Sequence, residues 1–189
     1  MFGIDGDKTA YEEFKKLIKK YKIKTVVETG TYHGKTTEAL ASICDNVYSI
    51  EINTELYNEV YKKIKDNKRI KLFNMTTINF LKENIPNFIQ PILFFLDAHK
   101  MEREYNTFHL NSINEPLLDE LNIIGENKIK PIIVIHDFMV PEKYSGYKYE
   151  SIEPFLTKIY GENNYRYYYN ETSFSEEHPC GIIYILPKE

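Results

Sequence analysis

The chain has no tryptophan, only two cysteines, and eight glycines and eight prolines among its 189 residues. Cys44 and Cys180 stand far apart and fit no metal-ligand spacing, which disfavours a disulfide framework and points to a reducing compartment. No apolar run approaches the roughly 20 residues that span a bilayer. The opening stretch MFGIDGDKTAYEEF also lacks the basic start and apolar core of a secretory signal. A cytoplasmic protein without a membrane partner is expected. A net charge of −4 and a pI near 5.8 lack the positive excess of a nucleic-acid footprint. Lys15, Lys16, Lys19, Lys20, Lys22 and Lys24 make a basic stretch that reads as a solvated helix face. Two phosphate-binding signatures are absent as well: neither GxGxxG nor GxxxxGK[ST] occurs.

What is present suits a soluble globular fold. Hydrophobic residues make up 42% and charged residues 28%, with 16 tyrosines and 11 phenylalanines supplying core bulk. A domain of this size buries roughly 70% of its unfolded surface. No repeat or low-complexity tract divides the chain, so residues 1–189 are expected to form a single domain.

Apolar residues at Phe14, Leu17, Ile18 and Tyr21 predict a helix over residues 8–21. KTVVET reads as a buried strand, TTEALASIC as the helix after it and NVYSIEI as the next strand. Leu56, Val60, Tyr61 and Ile64 predict a helix from Thr54 to Lys65. IKLFN is a short strand, and a helix from about Thr77 to Lys82 follows. PILFFLDAHK is a continuous apolar run ending in an acid, as expected of a central parallel strand covered on both faces. The polar stretch from Met101 to Asn114 reads as a long loop over the site. A helix from Pro116 to Ile124, a strand in KPIIVIHDF and a helix from Ser151 to Tyr160 come next. NYRYYYN and CGIIYILPK complete the chain as an antiparallel strand pair. The expected fold is α/β, a doubly wound, mostly parallel Rossmann-like sheet with a C-terminal antiparallel hairpin.

The run VVETGTYHGKTT, Val26 to Thr37, places an acid, two glycines and two hydroxyls where a buried strand turns into a helix. Such junctions bind cofactors in α/β proteins. Glycine at Gly30 and Gly34 allows a ligand or another backbone to come close, and Thr36 and Thr37 can offer hydroxyls at the helix start. Glu28 stands two residues before the first glycine. An ionised carboxylate there would repel a pyrophosphate by about 4 kcal/mol at 4 Å in an effective dielectric near 20, so a cationic ligand is expected. Glu51, near the end of VYSIEI, suits a ribose diol, which it can accept hydrogen bonds from.

ETGTYHGKTT, SIEIN, FLDAHK and IVIHDF together resemble the class I S-adenosylmethionine-dependent methyltransferases, especially their catechol O-methyltransferase-like branch. The likeness covers most of the chain. It matches Glu28, Gly30, Tyr32 and Gly34 to the first motif and Glu51 to the second. It implies that Glu51, with Ile52 beside it, meets the cofactor's ribose, and that the Gly30 to Gly34 turn packs beside its methionine portion. Thr76 and Thr77 match small polar positions near the adenine. Asp97 and Lys100 match an acidic metal ligand and a lysine three residues on, and Asp137 matches a second metal ligand. The branch usually places an asparagine after that acid, whereas this chain has Phe138; His136 or His99 could substitute as the third ligand. Magnesium or another divalent metal is thereby implied at Asp97, Asp137 and His136, with Lys100 or His99 as the base that takes a proton from a hydroxyl acceptor.

The expectation from sequence is therefore an enzyme, an S-adenosylmethionine-dependent O-methyltransferase acting on a small molecule or sugar hydroxyl. A nucleic-acid acceptor is disfavoured, because neither an Asn-Pro-Pro-Tyr-type run nor a strongly basic face is present. The alternatives are a nicotinamide-dependent oxidoreductase and a non-catalytic cofactor-binding module on the same fold. The Met101 to Asn114 loop and the Pro141 to Tyr149 segment are expected to choose the acceptor. His33 could line the cofactor pocket; His109 and His178 receive no role. Tyr165 to Tyr169 reads as a strand face rather than a base-stacking platform.

Overall fold

The computed structural model describes residues 4, 6–98, 116–138, 148–169 and 181–188. Seven strands, β1 (Thr25–Thr29), β2 (Asn46–Glu51), β3 (Ile70–Asn74), β4 (Ile92–Leu96), β5 (Ile132–Ile135), β6 (Tyr165–Tyr169) and β7 (Ile183–Pro187), form one sheet. Its order is β3-β2-β1-β4-β5-β7-β6. The first five strands in that order run parallel, and β7 lies antiparallel to both β5 and β6. Six helices, α1 (Lys8–Tyr21), α2 (Lys35–Ile43), α3 (Thr54–Ile64), α4 (Thr77–Asn84), α5 (Leu117–Glu126) and α6 (Tyr149–Tyr160), connect and cover the strands.

Local chemistry accounts for the starts of several helices. Asp7 accepts from the amides of Thr9 at 2.7 Å and Ala10 at 3.1 Å, satisfying donors that the first turn of α1 leaves open. Asn53 caps α3 in the same way, and Thr76 caps α4 by accepting from the Asn79 amide.

The two faces of the sheet differ. Val27, Ile50, Phe94, Leu96, Ile133 and Ile135 point to the side covered by α4, α5 and α6. Val26, Val47, Leu93, Phe95, Ile132 and Val134 point to the side covered by α1 and α2, where Phe14 meets Phe95 edge to face at 5.3 Å. Side chains alternate along a strand. Glu28, Ser49, Glu51 and Asp97 therefore project on the α1 and α2 side, all at or near the carboxyl ends of their strands. The strand order changes direction between β1 and β4, and the crevice above such a switch point is where open α/β sheets take ligands.

The structure bears out the expected fold. Its strand and helix bounds fall within a few residues of those read from periodicity. The Met101 to Asn114 loop, most of the Pro141 to Tyr149 segment and the link between the last two strands lie outside the described residues.

Candidate active site at the carboxyl ends of the strands

Glu28 is wholly buried. One of its oxygens, Oε2, accepts from the hydroxyls of Thr37 and Ser49, each at 2.5 Å, tying β1 to α2 and β2. The other, Oε1, is buried with no hydrogen-bond partner in the protein. Burial pushes this carboxyl up to about 8, against the two hydroxyl bonds, and the nearby Asp97 and Glu51 charges push it further. It is thus largely uncharged at pH 7. That corrects the reason given above for rejecting a pyrophosphate: a neutral acid does not repel one, and the expected charge repulsion is absent from the empty site.

The two glycines are explained by the protein itself. Gly30 has φ of 85°, and a Cβ there would lie 2.6 Å from the Asp97 carbonyl oxygen where β1 leaves the sheet beside β4. Gly34 has φ of 76°, and a Cβ would lie 2.7 Å from Val60 of α3. Of the two options open in the sequence, close approach of other protein atoms is therefore the observed one. Between the glycines, Tyr32 takes a left-handed conformation and donates its amide to Glu51 Oε2 at 2.9 Å. Its ring packs on His33 with centroids 4.0 Å apart.

Glu51 is 4% exposed and also accepts from the Asn53 amide at 2.8 Å. Burial raises its pKa, while the amides of Asn53 and Tyr32 work in the opposite direction. Each oxygen thus has a fixed backbone donor and keeps a second lone pair. Ile52 beside it is 39% exposed, a large apolar side chain left open at the end of β2. Asn74 Nδ2 bonds the Glu51 carbonyl at 2.9 Å and fixes the neighbouring end of β3.

The threonines divide. Thr37, fully buried, donates to Glu28, so its role is to hold that carboxyl rather than to meet a ligand directly. Thr36 is buried in the first turn of α2, and Thr77 in that of α4. Thr76 spends its oxygen as a helix cap. Thr31 and Ser49, which sequence reading passed over, join this network through a 2.6 Å hydroxyl contact. A small hydroxyl inside a strand carries no periodic signal, so nothing in the pattern singled them out.

At the β4 and β5 ends, the Asp97 amide bonds both the carbonyl and the hydroxyl of Thr29 at 3.1 Å. The His136 amide bonds the Leu96 carbonyl at 3.1 Å. His136 Nδ1 then lies 3.1 Å from Asp97 Oδ1 and 3.3 Å from Asp137 Oδ1. Ligand-capable atoms of the three residues fall within 4.8 Å of one another. Asp137 reaches this position with φ of 51°, a conformation costly for a residue other than glycine. The structure thus assembles Asp97, His136 and Asp137 as expected. Two carboxylates and an imidazole can share a proton or bind a divalent cation. Phe138 is wholly buried, its ring stacked on Tyr169 at 6.2 Å, and contributes packing. His99 and Lys100 lie outside the described residues.

Comparison with solved structures gives the fold the same neighbours. The O-methyltransferase from Bacillus cereus, solved in complex with SAH, superposes with a TM-score of 0.67 at 18% identity over 98% of this chain and 84% of that one. An rRNA methylase from Streptococcus thermophilus superposes with a TM-score of 0.58 at 13% identity over 96% of this chain and 95% of that one. These likenesses show the class I methyltransferase fold and do not single out the catechol O-methyltransferase-like branch.

Sequence comparison is more specific. The rRNA adenine N-6-methyltransferase of Escherichia coli is 35% identical over 75 residues, which is 38% of this chain and 31% of that relative's length. The model of the family described as ribosomal RNA adenine dimethylase matches residues 7–117. These findings overturn the expected partner: a small-molecule or sugar acceptor has no support, and the case against nucleic acid, made from net charge and a missing motif, fails. Net charge averages over the whole surface and says little about one cleft. With more than half of its residues matched, the chain belongs to the ribosomal RNA adenine dimethylase family.

Proposed function

We propose that the protein transfers a methyl group from S-adenosylmethionine to an adenine base of RNA. The observation that carries the cofactor half is the row of Glu28, Glu51 and Asp97 above the sheet's switch point, with Glu28 Oε1 buried and lacking a protein partner. A buried polar atom of that kind costs free energy unless something meets it, and a cofactor with a cationic end fits it. The RNA half rests on the family match and on the E. coli relative.

When bound, S-adenosylmethionine supplies a methyl group on a positively charged sulfur, already activated for displacement. The protein's share is chiefly alignment. Glu51 accepts from the ribose diol, held in place by the Tyr32 and Asn53 amides. Ile52 offers apolar surface to the adenine ring, with Thr76 and Thr77 beyond the end of β3. Gly30, Tyr32, Gly34 and Thr36 shape the turn beside the methionine portion. Asp97 stands at the acceptor end, where its carboxylate can hold the exocyclic amine of the target base. The amine's proton passes to a base drawn from His136, His99 and Lys100. The contact of His136 Nδ1 with two carboxylates favours a proton on that nitrogen and leaves Nε2 as the accepting one.

A second reading is favoured by the convergence of Asp97, His136 and Asp137 within 4.8 Å. These three would hold a divalent cation, whose charge would orient and polarise the acceptor.

Incubation with methyl-tritiated S-adenosylmethionine and RNA, or DNA of the same sequence, followed by nucleoside analysis, tests both readings. The expected product is N6-methylated adenosine in RNA. Absence of label from every nucleic acid would contradict the acceptor. Loss of transfer in EDTA with recovery on magnesium addition supports the metal reading, and unchanged transfer removes it.

A further inference from the structure

The hydroxyl network under the cofactor turn has a direction. Thr37 Oγ1 and Ser49 Oγ both stand 2.5 Å from Glu28 Oε2, and Thr31 Oγ1 stands 2.6 Å from Ser49 Oγ. A hydroxyl has one proton to give. Ser49 commits its proton to Glu28, so at the 2.6 Å contact Ser49 accepts and Thr31 donates. Thr37 commits its own proton to the same carboxyl oxygen. Three hydroxyl protons thereby point one way and end on Oε2, while Oε1 has no protein partner and no contact with solvent.

The charged groups acting on Glu28 are both acids, Glu51 from β2 and Asp97 from the end of β4; from α2 it receives the Thr37 hydroxyl. Burial and these two acids keep the proton on Glu28, at about 8, in the empty site. Two converging hydroxyls, by contrast, favour the carboxylate. The site is therefore built to ionise once a cation arrives, and the cation has to come from the ligand.

We propose that Glu28 docks the cationic amino-acid end of the cofactor through Oε1 and releases its proton on doing so, with Thr31, Ser49 and Thr37 as positioning residues. This rests on the S-adenosylmethionine reading above. The proton leaves the Glu28 carboxyl for the solvent, the ammonium keeps its three, and a carboxylate to ammonium hydrogen bond forms. Cofactor affinity then rises with pH toward the value at which empty Glu28 ionises, and proton release fades above it.

Calorimetric titration of the protein with S-adenosylmethionine, near pH 6.5 in buffers of different ionisation enthalpy, counts the protons. About one proton released per cofactor bound is expected for the wild type, and none for E28Q, whose affinity falls about tenfold or more. S49A removes one donor from the ionised carboxyl. It should keep the release while moving the pH midpoint of affinity upward, a shift that a purely structural role for Ser49 does not produce. Saturable binding without buffer dependence in the wild type overturns the inference and leaves the cofactor reading standing, whereas absence of binding removes the cofactor reading itself. Should E28Q not fold, S49A decides: a wild-type midpoint overturns the relay.

Discussion

A carboxyl group held neutral by burial makes the folded protein sensitive to pH in a definite direction. Glu28 ionises near its model value of 4.5 when the chain is unfolded and at about 8 when folded. Between those values the folded state binds more protons, so the stability contributed by this group is present at low pH and is lost as pH rises through the folded value. E28Q removes the titration and keeps the shape. Its melting temperature relative to the wild type should climb between pH 5 and pH 8, gaining about 2–4 °C for each kcal/mol, as thermal melts in a pH series will show. A constant difference across that range would contradict the assignment. Gly30 is the second sensitive residue. G30A sets a Cβ at 2.6 Å from the Asp97 carbonyl in a left-handed conformation, and a loss of about 2 kcal/mol or more is expected by denaturant titration.

Among the elements, β4 organises the rest. All five of its side chains are buried, Asp97 hangs from its end, and Phe95 meets both Phe14 and the His136 ring. F95A should therefore cost about 3–5 kcal/mol of stability in chemical denaturation, the range for emptying a buried aromatic site. The strand was legible in the sequence because ILFFL is apolar at every position, as double-sided burial requires, and Asp97 stood out as the acid ending that run. His136 and Asp137 were legible for the same reason after IIVI. The charge state of Glu28 was not legible. It depends on how deeply the carboxyl is buried and on hydroxyls from Thr37 and Ser49, which distant parts of the chain bring together. The purpose of Gly30 was hidden likewise, since its neighbour Asp97 is close only in the folded sheet.

At the scale of the whole molecule, the reversal of strand order between β1 and β4 sets the crevice, and the pairing of β1 with both β2 and β4 brings three acids to its rim. The acceptor did not follow from such features, because the fold is shared by O-methyltransferases and an rRNA methylase alike. Sequence kinship over residues 7–117 redirected it toward RNA. What the sheet itself dictates is the cofactor, and titration with S-adenosylmethionine and S-adenosylhomocysteine tests that most directly. The account predicts saturable one-to-one binding for the wild type and a loss of about tenfold to a hundredfold in affinity for E51A, as removal of a charged hydrogen-bond partner produces. No binding at millimolar ligand, or wild-type affinity in E51A, would contradict it.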